Sequence, residues 1–287
     1  MNNIGEIFAI ISGLLYASIG YFAVHLIKLG IDPLALTFWR FSLSALILMI
    51  FIKYIAENKL IVRKQLFNML TKDSLLYCGS SFLYFYALEY IGSGLCMVIF
   101  FIYPVFVSII NYIFYGKKIS RRYWYCLSII IIGIFFLVDL HEIKMDITGI
   151  VLSILSSILY ALYCINSTKT TSIPISATLI VCIGSALFSL LLIFSQQKSI
   201  FLPENNITEA LLYISGLSLF GTVLPILLLL KSFKLISVER ASLLSVSEPI
   251  FGVIIGFFFL GENLTSSNII GIILIISAAT IIIKFKE

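Results

Sequence analysis

Stretches of about 20 consecutive, mostly apolar residues recur along the whole chain of 287 residues. A helix of that length, rising about 1.5 Å per residue, crosses the roughly 30 Å hydrocarbon core of a bilayer. Apolar residues make up 61% of the sequence and charged residues 11%, whereas soluble domains average about 45–50% and about 25%. The pattern therefore predicts an all-α polytopic membrane protein. We place ten transmembrane helices at 4–27, 34–53, 74–91, 93–114, 122–139, 147–166, 175–195, 209–230, 240–260 and 266–284.

The distribution of basic residues predicts how these helices are oriented. Of the 19 Lys and Arg residues, Arg40 lies inside a span and Lys28, Lys144 and Lys198 fall on the side opposite the N-terminus, which leaves 15 on the N-terminal side. Cytoplasmic loops carry such an excess, so both termini are expected in the cytoplasm. The net charge of +5 then indicates contact with anionic lipid headgroups rather than with nucleic acid. Short loops and the lack of organelle-targeting features favour a bacterial inner (plasma) membrane.

The first apolar run and the cysteines need no special role. The run at 4–27 is longer than the core of a signal peptide and has no Lys or Arg before it, so we expect it to remain as a span. The cysteines are odd in number and form no CxxC pair, so we expect small apolar packing residues rather than disulfides or a metal site. They are Cys78, Cys96, Cys126, Cys164 and Cys182. No metal and no cofactor is predicted.

The two halves of the chain repeat. At an offset of 145, Ile91, Pro104 and Gly116 meet Ile236, Pro249 and Gly261, and Ile119 meets Leu264. At an offset of 144, Gly5, Ser12 and Tyr16-Ala17 meet Gly149, Ser156 and Tyr160-Ala161. Five spans per copy is an odd number, so the second copy must insert upside down. Inverted repeats are typical of secondary transporters, whose substrate site lies near the midplane where the halves meet; duplicated folds also arise for packing alone.

Four motifs carry a family resemblance. They are "FWRF" at 38–41, "LEYIGSGL" at 88–95, "SEP" at 247–249 and "FLGENLT" at 259–265. Their order and spacing resemble the EamA group of the drug/metabolite transporter superfamily, with one EamA-type repeat at 4–139 and another at 147–284. The first repeat departs from the pattern, because Gly116-Lys117 stands where the second has Gly261-Glu262. The resemblance implies a carrier with a central cavity that exports or exchanges amino acids, nucleotide sugars, other small metabolites or drugs.

Glu248 is the polar residue that most demands an explanation. It lies about 12 Å into the ninth span, where a charge costs about 2.5–3.5 kcal/mol, and the sequence leaves its protonation open. Ser245, Glu248, Gly252 and Gly256 follow one face of the helix, and the two glycines would let another helix approach closely. Pro249 frees a backbone carbonyl near Ser245, as is tolerated beside a cavity or inside protein. Glu248 is therefore either part of a transport site or a buried structural carboxylate.

Arg40 is the second charge inside the membrane, about 8 Å from Glu248 along the bundle axis. It either holds a substrate carboxylate with two hydrogen bonds or ties helices together. Aromatic residues complete the predicted translocation site. Tyr16 and Tyr160 fall at equivalent mid-span positions, Tyr84 and Tyr103 lie on neighbouring spans, and converging aromatic rings with hydroxyls suit an apolar or amphipathic metabolite. Pro104 and Pro249, with Gly252 and Gly256, are the predicted helix breaks and gating positions.

The motifs of intramembrane enzymes are missing from the sequence. There is no HExxH, no aspartate-rich magnesium motif, no Walker motif and no histidine near mid-span. We therefore predict no catalytic residues and a secondary carrier that moves a small organic metabolite by alternating access, most simply an amino acid or related compound leaving the cell or being exchanged. Uptake or exchange of a nucleotide-like metabolite such as S-adenosylmethionine, and flipping of a lipid-linked substrate, stay open. So do coupling to protons and a monomeric or homodimeric state.

Overall fold

The computed structural model describes residues 3–55, 63–137, 146–170, 173–203, 206–261 and 263–284. Within these ranges the chain is helical and contains no strand, which confirms the predicted all-α class. The first six helices are α1 (Ile4–Lys28), α2 (Pro33–Ile55), α3 (Arg63–Asn68), α4 (Ser74–Phe100), α5 (Tyr103–Tyr115) and α6 (Arg121–Leu137). The remaining seven are α7 (Ile147–Thr170), α8 (Pro174–Ser195), α9 (Ile207–Ser218), α10 (Leu224–Ser232), α11 (Val238–Leu244), α12 (Glu248–Ile255) and α13 (Ser266–Lys284).

Eight segments of the described chain are long and apolar enough to cross a membrane. They are Ile4–Lys28, Pro33–Ile52, Leu95–Tyr115, Ile147–Lys169, Pro174–Ser195, Ile207–Ser232, Val238–Phe259 and Ser266–Lys284. The predicted span 74–91 falls on α4, and the predicted span 122–139 falls on α6, a helix of 17 residues. Neither of these two predicted spans is among the eight segments. The predicted end of the latter span, at 138–139, lies outside the described residues.

Two interruptions in the first half fall at or near predicted positions. The predicted division between the spans 74–91 and 93–114 falls at Gly92, where α4 (Ser74–Phe100) is kinked and its backbone is not helical, with φ 73° and ψ 169°. Glycine permits this left-handed conformation because it has no Cβ. α4 ends at Phe101 and Ile102, and α5 starts with Pro104, a predicted helix break, in its first turn. Proline fits there because the first turn leaves its N–H groups unpaired anyway.

The long helices of the second half are interrupted near prolines. The predicted span 240–260 is divided into α11, a 3₁₀ turn at Ser245–Ser247, α12 and a π-helical end at Gly256–Leu260. Pro249 stands in the first turn of α12, so the break lies just ahead of it. The predicted span 209–230 contains a π-helical segment, Leu219–Val223, before α10, whose first turn holds Pro225. A proline inside a helix removes one backbone hydrogen bond and crowds the preceding turn, which accounts for both positions.

Serine hydroxyls connect the packed helices through backbone carbonyls. The Ser12 hydroxyl of α1 donates to the Pro225 carbonyl of α10 at 2.8 Å, and the Ser156 hydroxyl of α7 donates to the Ser80 carbonyl of α4 at 2.8 Å. Such bonds let helices approach closely in an apolar environment, and each is worth about 0.6 kcal/mol on average. All five cysteines are free and buried, as predicted.

The bundle has two distinguishable ends. Glu6 near the start of the chain, Arg240 at the start of α11 and the Ile283 carbonyl near the end of α13 lie together; we call this the terminal end. The opposite end, which we call the far end, holds Asp32 between α1 and α2, and Lys198 after α8, which pair at 2.9 Å.

Candidate functional site

Glu248 lies inside the bundle beside open space. Its side chain is half-buried at the start of α12, and among the described residues it accepts no hydrogen bond and forms no ion pair. Gly252 follows one turn later on the same face, and a methyl group built there meets no atom within 4 Å. The close helix contact expected at Gly252 is therefore absent from the described part of the chain. The face of α12 that carries Glu248 has open space beside it at Gly252 instead.

Aromatic rings of α4, α5 and α7 form a cluster in the bundle. The ring of Phe100 lies 5.1 Å from that of Tyr84 and 5.3 Å from that of Tyr160, and the Tyr103 and Tyr160 rings lie 4.8 Å apart. Phe100 and Tyr84 are half-buried, whereas Tyr103 and Tyr160 are 1% and 7% exposed. The structure thus brings three of the predicted tyrosines into one cluster, with Phe100 as the ring that joins them.

Glu248 lies within electrostatic range of four groups in the bundle. They are Arg40 and the hydroxyls of Tyr77, Tyr84 and Tyr103. Tyr77 was not predicted, although it precedes Tyr84 by two helical turns and so shares its face of α4. The Tyr77 hydroxyl lies 3.3 Å from that of Tyr16, which places the predicted Tyr16 in the same interior.

Tyr163 is a second tyrosine that the sequence reading missed. Its ring centre lies 4.9 Å from that of Tyr77 and 6.0 Å from that of Tyr160, and its buried hydroxyl has no hydrogen-bond partner in the described structure. It follows Tyr160 by three residues, the spacing at which helical side chains share a face.

Arg40 is engaged by neighbouring helices. Its Nε donates to the Thr222 hydroxyl at 2.6 Å, and its Nη2 donates to the Gly221 carbonyl at 2.9 Å and to the Tyr77 hydroxyl at 3.5 Å. Arg40 is only 2% exposed. It forms no ion pair with Glu248 among the described residues. The π-helical segment that contains Gly221 and Thr222 supplies these acceptors, so Arg40 holds α2 to this irregular part of the bundle.

The other predicted positions border the break before α12. The Ser245 hydroxyl donates to the Ala241 carbonyl at 2.9 Å, one turn earlier in α11, and Ser245 is 3% exposed. A methyl group built on Gly13 of α1 would approach the Ser245 carbonyl to 2.7 Å. The backbone of α1 therefore packs directly against the irregular turn, while Gly256 begins the π-helical end of the segment.

A polar network closes the terminal end. The Asn111 side-chain amide donates to Glu239 Oε1 at 2.5 Å, and Lys117 Nζ lies 3.4 Å from the same oxygen. Beside it, Arg240 Nη2 pairs with Glu6 Oε1 at 3.0 Å. The sequence reading missed this network, because it took Arg240 as a topology signal only. The adjacent opposite charges of Glu239 and Arg240, at the first turn of a helix, were the available signal.

The far end opens as a cleft between helix ends. It has a volume of about 450 Å³ including open solvent and is bordered by Asp32, Pro33, Leu34, Thr37, Phe82, Phe85, Tyr86, Glu89, Gln196 and Lys198. The carboxylate of Asp32 accepts a hydrogen bond from Lys198 and raises the pKa of that ammonium group above its ordinary value. Both groups lie outside the apolar spans.

Long apolar helices around an interior of tyrosines, one arginine and one glutamate define a multi-pass membrane protein with a polar interior site. A model of the EamA-like transporter family matches residues 3–139 and again residues 147–284. The chain belongs to this family, which is part of the drug/metabolite transporter superfamily. It is a transporter of that superfamily.

Individual relatives agree with the family match. An uncharacterized transporter of Archaeoglobus fulgidus is 24% identical over 290 residues, covering 99% of this chain and 97% of the relative. An uncharacterized transporter of Synechocystis sp. is 25% identical over 199 residues, covering 67% of this chain and 59% of the relative. One crystal structure, of a protein given no more specific name, superposes with a TM-score of 0.82 over 98% of this chain and 96% of its own, at 14% identity. That last likeness concerns the fold alone.

Proposed function

We propose that this protein is a secondary carrier that moves a small organic metabolite through a midplane cavity by alternating access. It would consist of ten spans in two inverted units, 4–139 and 147–284. The observation that carries the proposal is Glu248: a half-buried carboxylate without a partner among the described residues, beside open space in a membrane bundle. A charge at this depth costs about 2.5–3.5 kcal/mol and is typical of substrate and ion pathways.

Paired contacts support the inverted arrangement. A methyl group built on Gly5 would meet Leu235 and Ile236 at 2.9 Å, and one built on Gly149 would meet Tyr90 and Ile91 at 2.6 Å. Gly5 and Gly149 are equivalent at the offset of 144. The residues that they meet are equivalent at the offset of 145. The first contact lies at the terminal end and the second at the end where α7 begins, as an inverted repeat requires.

Hydrogen bonds and helix ends repeat in the same way. The bond from Ser12 to the Pro225 carbonyl has its equivalent in the bond from Ser156 to the Ser80 carbonyl, at the same two offsets. Gly116 and Gly261 end equivalent helices with φ values of 62° and 73°. The left-handed conformation after a helix end favours glycine, so the two halves share local geometry as well as sequence.

The orientation follows from the basic residues. With the terminal end in the cytoplasm of a bacterium and the far end outside the inner membrane, the chain obeys the excess of cytoplasmic Lys and Arg. The direction of transport, whether efflux, exchange or uptake, would be set by gradients. The amino-acid class suggested by the resemblance gains no support from the relatives, whose names give no substrate.

The translocation site in this proposal is the face that Glu248 shares with open space, together with Tyr84, Tyr103 and Tyr160. Tyr16 and Ser245 support it from α1 and from the turn before α12. Arg40, Tyr77, Tyr84 and Tyr103 are the titratable or charged groups that interact with Glu248. Glu248 would couple transport to protons if its protonation alternates between the two open states.

Reconstitution in liposomes tests this proposal. Uptake of a panel of labelled metabolites is followed with and without an imposed pH gradient, for wild type, Glu248→Gln and the control Glu89→Gln, whose carboxylate is exposed in the far-end cleft. We expect transport by wild type and Glu89→Gln, with a response to the gradient that Glu248→Gln lacks. Transport by Glu248→Gln equal to wild type in both conditions would show that the glutamate is structural.

A further inference from the structure

The short connection between α5 and α6 carries a cluster of positive charge at the terminal end. Four of the six residues from 117 to 122 are basic, and no Asp or Glu occurs between residues 90 and 138. The four basic side chains are exposed, and they are Lys117, Lys118, Arg121 and Arg122. A fifth charge lies beside them, because Lys169 Nζ near the end of α7 is 3.6 Å from the centre of the Tyr115 ring.

The turn itself does not require basic residues. Gly116 and Gly261 end equivalent helices with φ values of 62° and 73°, so both helices end in the same left-handed conformation. At the offset of 145 the four basic positions correspond to acidic or uncharged residues, namely Glu262, Asn263, Ser266 and Ser267. The charge of the first connection therefore serves something other than the fold of the turn.

Contacts within the chain leave part of this charge uncompensated. Lys117 Nζ lies 3.4 Å from Oε1 of Glu239. Lys118 and Arg121, by contrast, form no ion pair among the described residues. Arg121 also stands in the first turn of α6, where the helix dipole disfavours a positive charge. An anion from outside the chain would relieve this repulsion.

Exposed tyrosine and tryptophan side chains flank the connection on both sides. Their exposed fractions lie between 38% and 65%, so they face away from the bundle interior; they are Tyr112, Tyr115, Trp124 and Tyr125. Tyrosine and tryptophan are enriched where a membrane meets water, at the level of the lipid headgroups. The flanking rings therefore place the basic connection at the depth of lipid phosphates, which favours a lipid over a soluble anion.

We propose that residues 112–125 together with Lys169, which we call the basic surface, bind the headgroups of anionic phospholipids. Lys118, Arg121 and Lys169 hold the phosphate through charge-assisted hydrogen bonds, and the acyl chains pack on the exposed aromatic rings. Clusters of four or more basic residues next to a membrane span are typical of such lipid sites. The basic surface is separate from the proposed translocation site, so this inference does not depend on the carrier's substrate.

Quenching of tryptophan fluorescence by brominated lipids tests the inference. The chain has two tryptophans, so Trp39→Phe leaves Trp124, within the basic surface, as the only one. The full-length protein with this substitution is placed in bilayers of phosphatidylcholine and phosphatidylglycerol, one of which is brominated near its headgroup. We expect phosphatidylglycerol to be preferred next to Trp124 at least about 10-fold at low salt, because each basic residue contributes about 5-fold. The preference should fall in 1 M salt, where the Debye length is about 3 Å.

Two variants with equal loss of charge separate the basic surface from the overall charge of the protein. Lys118→Gln/Arg121→Gln is expected to lower the preference at least about 5-fold. Lys28→Gln/Lys231→Gln removes two charges from exposed positions at the ends of α1 and α10 and should keep the preference.

Equal affinities for the two lipids, or the same preference in both variants, would overturn the inference. Displacement of the brominated lipid by millimolar inorganic phosphate at constant ionic strength would also overturn it, because the surface would then serve a soluble anion. The wild-type preference and its salt dependence decide the question even if the Lys118→Gln/Arg121→Gln variant fails to fold. The carrier function is tested separately by the metabolite panel.

Discussion

Replacing Glu6 by glutamine tests whether the terminal end depends on a buried ion pair. Glu6 Oε1 and Arg240 Nη2 lie 3.0 Å apart, and their side chains are 5% and 12% exposed. The glutamine keeps an acceptor oxygen but removes the charge, which leaves the guanidinium bonded to the Ile283 carbonyl at 3.1 Å. Arg240 Nε already has no partner in the described structure. The variant therefore strands a buried cation.

The magnitude follows from burial. Removing one partner of a buried pair costs about 3–5 kcal/mol, and we take about 3 kcal/mol because the pair lies at the end of the bundle, close to water. At about 2 °C per kcal/mol for a chain of this size, Glu6→Gln lowers the midpoint of thermal unfolding in detergent by about 6 °C. The measurement compares variants at one heating rate, since such unfolding is often irreversible.

A matched pair at the far end supplies the control. Asp32→Asn also removes a carboxylate charge and keeps an oxygen, but its partner Lys198 is 50% exposed at the side chain. Exposed pairs contribute little, so its midpoint should shift by at most about 2 °C. The double variant Glu6→Gln/Arg240→Met should recover most of the loss, because no unpaired charge is left. Equal shifts for Glu6→Gln and Asp32→Asn would refute the reasoning that burial makes the terminal-end pair important.

Three further changes have clear expected results. Tyr163→Phe is expected to leave the midpoint of thermal unfolding unchanged or slightly higher, because the buried Tyr163 hydroxyl has no partner in the described structure. Tyr103→Phe removes the 2.9 Å bond to the Ser242 carbonyl and should lower the midpoint. A larger loss for Tyr163→Phe than for Tyr103→Phe would contradict this. Gly149→Ala is expected to destabilise the fold by about 1–3 kcal/mol, because the added methyl group would contact Tyr90 and Ile91. Gly20→Ala should be neutral or stabilising, because a methyl group there meets no atom within 4 Å. Thermal unfolding midpoints of the two variants test this difference. In Asp32→Asn the raised pKa of Lys198 should fall to its ordinary value, as NMR titration of methylated lysines would show. The Asp32–Lys198 pair stabilises the fold below the ordinary lysine pKa, about 10.4, and this contribution is lost as the pH rises through the raised pKa of Lys198. An unchanged Lys198 pKa in Asp32→Asn would show that Asp32 does not cause the shift.

Much of the fold could be predicted because a bilayer restricts the chain to long apolar helices. The helical class and the buried free cysteines follow from composition and periodicity alone, and the interruptions near Pro104 and Pro249 follow from the missing N–H. The predicted spans 74–91 and 93–114 meet at Gly92, where α4 is kinked. The positive φ at the kink could not be predicted, since glycine is compatible with a helix, a kink or a loop. The π-helical segment Leu219–Val223 packs around Arg40, and the 3₁₀ turn at Ser245–Ser247 packs against Gly13, so both likewise depend on tertiary contacts.

The site was predictable in part for a different reason. A charge in an apolar run stands out in a sequence, so Glu248 and Arg40 were found, but the partners of Arg40 come from α10 and its preceding turn, which no local pattern relates to α2. Tyr77 and Tyr163 were hidden among 15 tyrosines. The open space at Gly252 was misread as a helix contact, because the same small residue serves a close contact and an empty one equally well.

The polar network of the terminal end has no counterpart in the sequence of the other half. At the offset of 145, Glu239 and Arg240 correspond to Gly94 and Leu95. If the terminal end opens in the proposed transport cycle, the contacts of Glu239 with Asn111 and of Glu6 with Arg240 would have to break, whereas the ion pair described at the far end, Asp32–Lys198, is exposed. Opening the two ends of the proposed carrier would then cost unequal free energies, and a ligand would shift the populations of the two states only by as much as its affinities for them differ.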